Sequence, residues 1–151
     1  MNVRKEIDYS ALFADIDAVM TMKLTQMELY REIGRLVAAR PPKGAAVAAA
    51  DYLKQTQPEA KGFSSRNVRR MRDFYLSYRS DTAAMSNAMQ IGWTQNVVIL
   101  ETDLTPTERA WYIRAARNFG WSKLALMEKI EERAHEQVVL DTETKTCYRR
   151  S

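Results

Sequence analysis

Three times in this chain of 151 residues a glycine is followed by an aromatic residue and then by a serine or threonine, at Gly62-Phe63-Ser64, Gly92-Trp93-Thr94 and Gly120-Trp121-Ser122. Glycine suits the end of one element, and serine and threonine are preferred N-caps of the next helix. In a hydrophobic staple, the residue before the N-cap packs on the residue four positions after it. Those positions are apolar in all three cases: Val68, Val98 and Leu126. The chain is therefore predicted to start three helices with one capping device.

The composition favours helices over strands. Hydrophobic residues make up 46% and charged residues 28%, which is typical of a globular protein. Glycine is scarce, and the four prolines, at positions 41, 42, 58 and 106, stand where breaks between helices are expected. Residues 138–140 are the best candidate for a strand and are too few to count. We therefore predict an all-α multi-helix bundle, with one helical domain over residues 1–140 and a flexible polar tail over residues 141–151.

Apolar residues recur at helical spacing from Tyr9 to Val37, and Pro41-Pro42 end the pattern. An unbroken helix over this stretch has about 30 residues and a length of roughly 45 Å, which is long for a domain of this size. Two explanations stay open: the helix bends between Thr21 and Thr25, or its outer half packs on another chain. We favour the second, most simply with a second copy, and so expect a long N-terminal helix and a homodimer.

Further helices are predicted from apolar spacing and from helix start signals. They cover residues 45–55, 65–79, 95–101, 107–118 and 123–137, and a brief extra helix is allowed up to Met89. The start at Thr105-Pro106-Thr107-Glu108 is well marked, because proline takes the first helical position and Glu108 completes a capping box.

Few residues suit catalysis or metal binding. Cys147 is the only cysteine, so neither a disulfide nor a cysteine metal site is expected, which fits a reducing compartment. His135 is the only histidine and is expected to be a solvated residue near a helix end. Glu143-Thr144-Lys145 imitates part of a nuclease motif, but no strand or upstream acid completes it. We expect a protein that is not an enzyme and has no metal and no cofactor.

The sequence shows no sign of membrane association. The longest apolar run, residues 45–50, is too short to span a membrane. Asp15 and Asp17 stand where a signal peptide needs an uninterrupted apolar stretch. A cytoplasmic protein without a membrane partner is therefore expected.

The segment over residues 64–79 carries five arginines and a single acid, Asp73, although the net charge of the whole chain is only +4. At about 100° per residue, Arg66, Arg69 and Arg70 share one face of the predicted helix. The opposite stripe is expected to face the core and consists of Val68, Met71, Tyr75 and Tyr78. The basic face of this helix is thus separate from its packing face.

The helix over residues 45–55, the turn over residues 57–63 and the basic helix form a helix-turn-helix-like unit. In such motifs the N-terminal part of the second helix enters the major groove of DNA. Arginine binds phosphates or forks onto guanine, asparagine recognises adenine, and a helix start with hydroxyl groups binds a phosphate. The residues that these rules select for double-stranded DNA are Ser64, Ser65, Arg66, Asn67, Arg69 and Arg70.

The same helix also allows a simpler interpretation. Charged helix faces are commonly solvated, and Asp73 can pair with Arg69 or Arg70 along the helix. The turn over residues 57–63 is also longer than the tight connection of a helix-turn-helix motif. Spacing alone leaves both interpretations open.

Two blocks of sequence carry a resemblance to a known family. Residues 30–36 read Y-R-E-I-G-R-L, and residues 62–75 read G-F-S-S-R-N-V-R-R-M-R-D-F-Y. They resemble the N-terminal domain of the YhcG-like family of predicted PDDEXK nucleases, whose pattern is approximately Y-x-x-I-G followed by G-F-S-x-R-N-L-x-x-M-R-x-F-Y. Later elements agree at residues 91–94, 109–112 and 118–122. The likeness covers roughly residues 28–132.

The resemblance implies a helical, helix-turn-helix-like domain that is thought to bind DNA beside a nuclease domain. Carried over by position, it places recognition on Ser65, Arg66, Asn67, Arg69, Arg70 and Arg72. The nuclease domain is expected to be missing here, so nuclease activity is not carried over. The histidine that follows the family's tryptophan-serine element is also replaced, because Gln95-Asn96 follow Thr94.

The leading hypothesis is a non-enzymatic DNA-binding domain that uses the helix over residues 65–79. One alternative is a protein-interaction or dimerisation module, in which the first helix is the functional element and the arginines bind an acidic partner. Another is the regulatory half of a nuclease system, which works with a separate nuclease subunit.

Overall fold

The computed structural model of the chain describes residues 7–137, 139–140 and 146–147. Within them the chain forms eight α-helices and a short 3₁₀ helix, Ala134–Glu136, so the all-α prediction is confirmed. The helices are α1 Ser10–Met20, α2 Gln26–Ala38, α3 Pro42–Thr56, α4 Ser65–Tyr78, α5 Thr82–Ala88, α6 Trp93–Glu101, α7 Pro106–Phe119 and α8 Lys123–Glu131.

The chain divides into two compact units, one up to Ser77 and one from Tyr78 onward. That residues 1–140 form a single domain stays a prediction. The predicted flexible tail over residues 141–151 lies outside the described residues except for Thr146–Cys147, a strand that pairs antiparallel with Val139–Leu140. No strand is predicted there from the sequence, because two residues per strand are too few to show an alternating pattern.

The prediction of one long N-terminal helix is wrong, because the helix is interrupted between Thr21 and Thr25. The sequence left a bend at this place open as the other explanation. At the end of α1, the N–H of Thr21 donates to the carbonyl of Asp17 at 3.2 Å, and its hydroxyl donates to the carbonyl of Ala18 at 2.7 Å. The apolar spacing continues across this break and therefore conceals it. The argument for a second copy that rested on an unbroken helix no longer applies.

A capping box starts α2. The hydroxyl of Thr25 accepts from the N–H of Glu28 at 3.2 Å, and the carboxylate of Glu28 accepts from the N–H of Thr25 at 2.9 Å. These hydrogen bonds, led by the one from the Thr25 backbone, lower the pKa of Glu28. The predicted box at the start of α7 is confirmed with the same geometry, between Thr105 and Glu108.

All four helices of the first unit contribute to its core. α1 packs on α2, and both contact α3, whose regular part begins at Ala45 after the left-handed Gly44. Completely buried side chains come from each helix: Leu12, Ile16, Ile33, Val37, Leu53, Val68, Met71 and Phe74. Burial of these aliphatic and aromatic groups is the main stabilising contribution in this unit.

The backbones of α2 and α4 approach each other closely at Gly34. A Cβ atom at this position would lie 2.6 Å from the carbonyl carbon of Met71 and closer still to the carbonyl oxygen. Only a residue without a side chain permits this approach, since the obstacle is backbone that cannot turn aside. Gly34 therefore sets the distance between the two helices.

The glycine-aromatic-hydroxyl signature works as predicted at two of its three sites. Ser64 caps α4, with Phe63 and Val68 both buried, and the hydroxyl of Ser122 accepts from the N–H of Ala125 at 3.2 Å to cap α8. Gly120 ends α7 in the left-handed conformation, at φ 64°.

The second site differs from the prediction, because Gly92 and not Thr94 is the N-cap of α6. The reason is Asn96, which is completely buried. Its side-chain nitrogen donates to the carbonyls of Ala88 and Gly92, at 2.9 and 3.1 Å, and its backbone N–H also donates to Gly92. These hydrogen bonds start the helix two residues earlier than predicted, with Trp93 as its first residue.

The second unit is organised around α7, which contacts α5, α6 and α8. α8 ends at Glu131 and not at Gln137 as predicted, because Arg133 adopts a left-handed conformation at φ 54°. This turn brings His135 back onto α7, so the prediction of a solvated histidine is wrong. Its side chain is 13% exposed, with Nδ1 2.8 Å from the Tyr112 hydroxyl and Nε2 2.9 Å from the Glu108 carboxylate.

Replacing Gly34 by alanine should lower the free energy of unfolding by about 2–3 kcal/mol, because α2 and α4 must move apart to accept the methyl group. Urea denaturation measures this change. Gly92→Ala is the matched control, since its Cβ meets only the end of the flexible Gln95 side chain. The control should stay within about 1 kcal/mol of wild type. Equal stability of the two variants would contradict the role given to Gly34.

Candidate nucleic-acid interface

The start of α4 is held by the turn before it. Gly62 has a positive φ of 96°, which turns the chain into the helix at a conformation that other residues rarely adopt. The hydroxyl of Ser64 accepts from the N–H of Asn67 at 3.1 Å, and the side-chain nitrogen of Asn67 donates to the carbonyl of Gly62 at 2.6 Å. These hydrogen bonds connect the first turn of α4 to the residues just before it, Gly62-Phe63-Ser64, which we call the corner.

α2 supports this corner from the other side. The ring of Tyr30 contacts the ring of Phe63 edge to face, with 6.3 Å between centroids. The hydroxyl of Tyr30 occupies the space that a Cβ on Gly62 would need. Because Tyr30 stands one turn before Gly34, a single face of α2 contacts both the corner and the body of α4. The two sequence blocks that carry the family resemblance are therefore in direct contact.

The predicted contact residues differ in how far they reach the solvent. Ser64, Arg66 and Arg69 are exposed, whereas Ser65, Asn67, Arg70 and Arg72 are partly buried. Within the part of the chain that the structure describes, no hydrogen bond or ion pair engages the guanidinium of Arg66 or Arg69. These two side chains, one helical turn apart, form the most accessible part of the predicted surface.

The side chain of Arg72 is directed to other parts of the protein and not to the solvent. Its side chain is only 19% exposed, its Nε lies 3.5 Å from a carboxylate oxygen of Asp73, and its Nη1 donates to the carbonyl of Pro42 at 3.5 Å. Arg72 therefore connects α4 to the first turn of α3. The simpler interpretation pairs Asp73 with Arg69 or Arg70, whereas in the structure its carboxylate lies beside Arg72.

The packing stripe of α4 agrees with the prediction for Val68, Met71 and Tyr78, which are all buried. Phe74 is completely buried and was missed, although it stands three residues after Met71 and so on the same side of the helix. Tyr75 is only partly buried. Burial raises the pKa of Tyr78 to about 12, so its hydroxyl stays protonated at neutral pH.

The start of α4 lacks the acidic residue that begins α2 and α7. The helix macrodipole favours acidic residues in the first turn, and α2 and α7 each have a glutamate there, Glu28 and Glu108. The first turn of α4 has no acidic residue, and Arg66 stands at its second position. Positive side chains and the positive end of the dipole therefore coincide, an arrangement that disfavours the isolated helix and favours a bound anion.

The part of the chain that the structure describes has neither a cluster of metal ligands nor a membrane-spanning helix. Among residues 7–137, 139–140 and 146–147, no group of three or more histidine, cysteine, aspartate or glutamate side chains is arranged to hold a metal ion. In the same described ranges, no helix has the length and apolar character needed to cross a membrane.

The fold and the site define an all-α protein with a serine-capped basic helix, α4, which packs closely on α2 at Gly34. The family model of the DUF1016 N-terminal domain matches residues 14–137. The chain therefore belongs to this family, and the resemblance to the YhcG-like N-terminal domain is confirmed. No curated protein and no solved structure matches the chain.

Replacing Arg66 by glutamate should raise the free energy of unfolding by about 0.5–1 kcal/mol, because an acid then stands at the positive end of the dipole. It also stands four residues before Arg70, where the two side chains can pair. Urea denaturation at low salt measures the gain, and Arg66→Gln should give a smaller one. A glutamate variant that is less stable than wild type would contradict this account of the helix start.

Proposed function

We propose that this protein is a non-enzymatic DNA-binding domain that presents the first half of α4 to double-stranded DNA. The observation that carries the proposal is the exposure of Arg66 and Arg69 at a helix start without acidic residues. Phosphate groups are the ligands that such a start attracts, through the helix dipole, the first-turn N–H groups and the guanidinium groups together.

The arrangement of α3 and α4 supports docking in a helix-turn-helix manner. α3 precedes α4 in sequence, and Arg72 connects the two through the carbonyl of Pro42. In motifs of this kind the N-terminal residues of the second helix enter the major groove, while the first helix lies across the backbone. Arg66 and Arg69 are in the part of α4 that this docking would bring to DNA.

A basic residue at the start of a helix is electrostatically unfavourable, and this cost argues against a purely structural role for the basic face of α4. A glutamate in a capping box starts both α2 and α7, whereas α4, like α8 with Lys123, has a basic residue and no acid in its first turn. At the third position of α4 stands Asn67 instead. An arginine at the second position lowers the stability of the helix in isolation, and a bound polyanion reverses that effect.

A second candidate function is a protein-interaction module, through a homodimer or as the regulatory half of a nuclease system. Exposed apolar side chains on α8 favour it: Leu124 is 70% exposed and Met127 is 46% exposed. They stand three residues apart and therefore on the same side of the helix. An apolar pair of this kind is suited to contact with another protein.

The double variant Arg66→Ala, Arg69→Ala should bind duplex DNA at least about tenfold more weakly than wild type at low salt. Two phosphate contacts account for a salt slope of about 1.8 in log K against log salt, so the slope should decrease by that amount. Fluorescence anisotropy of a labelled duplex between about 50 and 200 mM salt measures both quantities.

The matched control for this experiment is Lys23→Ala, Lys54→Ala, which removes two positive charges from exposed positions outside the first turn of any helix. It should keep most of the affinity, since net charge alone contributes little at these salt concentrations. If the arginine variant and the lysine variant lose affinity equally, α4 is not the contact surface.

Exchange of Leu124 and Met127 for serine tests the second candidate. If α8 mediates self-association, light scattering should show a wild-type dimer and a monomeric variant, because the apolar area that drives association is removed. A wild-type protein that stays monomeric at high concentration would contradict the homodimer.

A further inference from the structure

We infer that α4 contacts the phosphate backbone of DNA and that Asn67 does not recognise a base. Asn67 is instead a positioning residue, which directs Arg66 and the start of the helix. This inference rests on the proposed DNA binding. It differs from the sequence-based expectation that Asn67 recognises adenine.

The contacts of Asn67 place it inside the corner. Its side-chain nitrogen donates to the carbonyl of Gly62 at 2.6 Å, and its backbone N–H donates to the hydroxyl of Ser64 at 3.1 Å. The residue is partly buried, and Tyr30 closes the same corner from α2. Asn67 thus connects the last residues before the helix to its first turn.

Recognition of adenine by asparagine uses both ends of the amide, which accept from N6 and donate to N7 of one base. In Asn67 the donor end is directed to the carbonyl of Gly62. Turning the amide toward a base would break this hydrogen bond and leave a carbonyl of the corner without its donor. The hydrogen bond to Gly62 therefore opposes the use of this amide for base recognition.

Arg72 is also removed from base recognition, since the Pro42 carbonyl and the Asp73 carboxylate hold its guanidinium. Of the arginines predicted to contact DNA, the exposed ones are Arg66, at the second position of α4, and Arg69, one turn later. At the helix start, Arg66 shares its position with backbone N–H groups, which bind phosphate oxygens and carry no information on base sequence.

A sequence-independent contact has a measurable signature. A single bidentate contact to a base changes affinity by at least about fivefold when the base pair is exchanged. Wild-type protein should therefore bind labelled duplexes of equal length, one AT-rich, one GC-rich and one mixed, with affinities that differ by less than about fivefold. All three should show the same salt slope.

The variant Asn67→Ala separates a positioning role from base recognition. Positioning predicts that affinity falls to the same extent for all three duplexes and that the salt slope decreases by about 0.9, because Arg66 loses its phosphate. Circular dichroism and urea denaturation establish that the variant is folded, and Asn67→Ser, which keeps a donor, should recover part of the slope. An effect on stability alone would leave the slope unchanged.

The outcomes separate this inference from the proposed function. A wild-type preference above about fivefold among the duplexes that Asn67→Ala abolishes would overturn the inference and leave DNA binding intact. An unchanged salt slope in the folded variant would overturn the positioning role. Absence of binding to all three duplexes by wild type would overturn the proposed function itself.

Discussion

The close crossing of α2 and α4 at Gly34 is the contact on which the rest of the first unit depends. Because no side chain separates the two backbones there, Met71 can lie directly against α2. One turn earlier on α2, Tyr30 then meets Phe63 and fills the space beside Gly62. The close approach of α4 to α2 therefore depends on the absence of a side chain at one residue, and two separated sequence blocks are in direct contact.

Stability and the proposed binding place opposite demands on the start of α4. The capping boxes at Glu28 and Glu108 bring a negative charge to the positive end of a helix dipole, and hydrogen bonds from Thr25 and Thr105 lower the pKa of both carboxyl groups. The start of α4 keeps the serine cap without the acid. A helix that is geometrically well fixed but electrostatically unfavourable is suited to an anionic ligand, which supplies the missing negative charge.

Local signals predicted much of the fold and of the candidate site. The caps at Ser64 and Ser122 and the box at Thr105 follow from short-range hydrogen bonds, which a few neighbouring residues decide. The outward direction of Arg66 and Arg69 follows from the period of α4. The break near Thr21 was one of two explanations that the sequence left open, because the apolar spacing continues across it. The early start of α6 at Gly92 and the return of His135 to α7 were not predictable from such signals.

The sequence by itself determined the all-α class, most helix boundaries and the basic face of α4, since hydrophobic period and capping chemistry act over a few residues. Only the tertiary structure decided which polar side chains of that helix are exposed and which are engaged by other parts of the protein. Arg72 is held by a carbonyl thirty residues away in sequence, and Asn67 faces a corner that α2 closes. Such assignments depend on which elements pack together, and this information is absent from the spacing of residues along one helix.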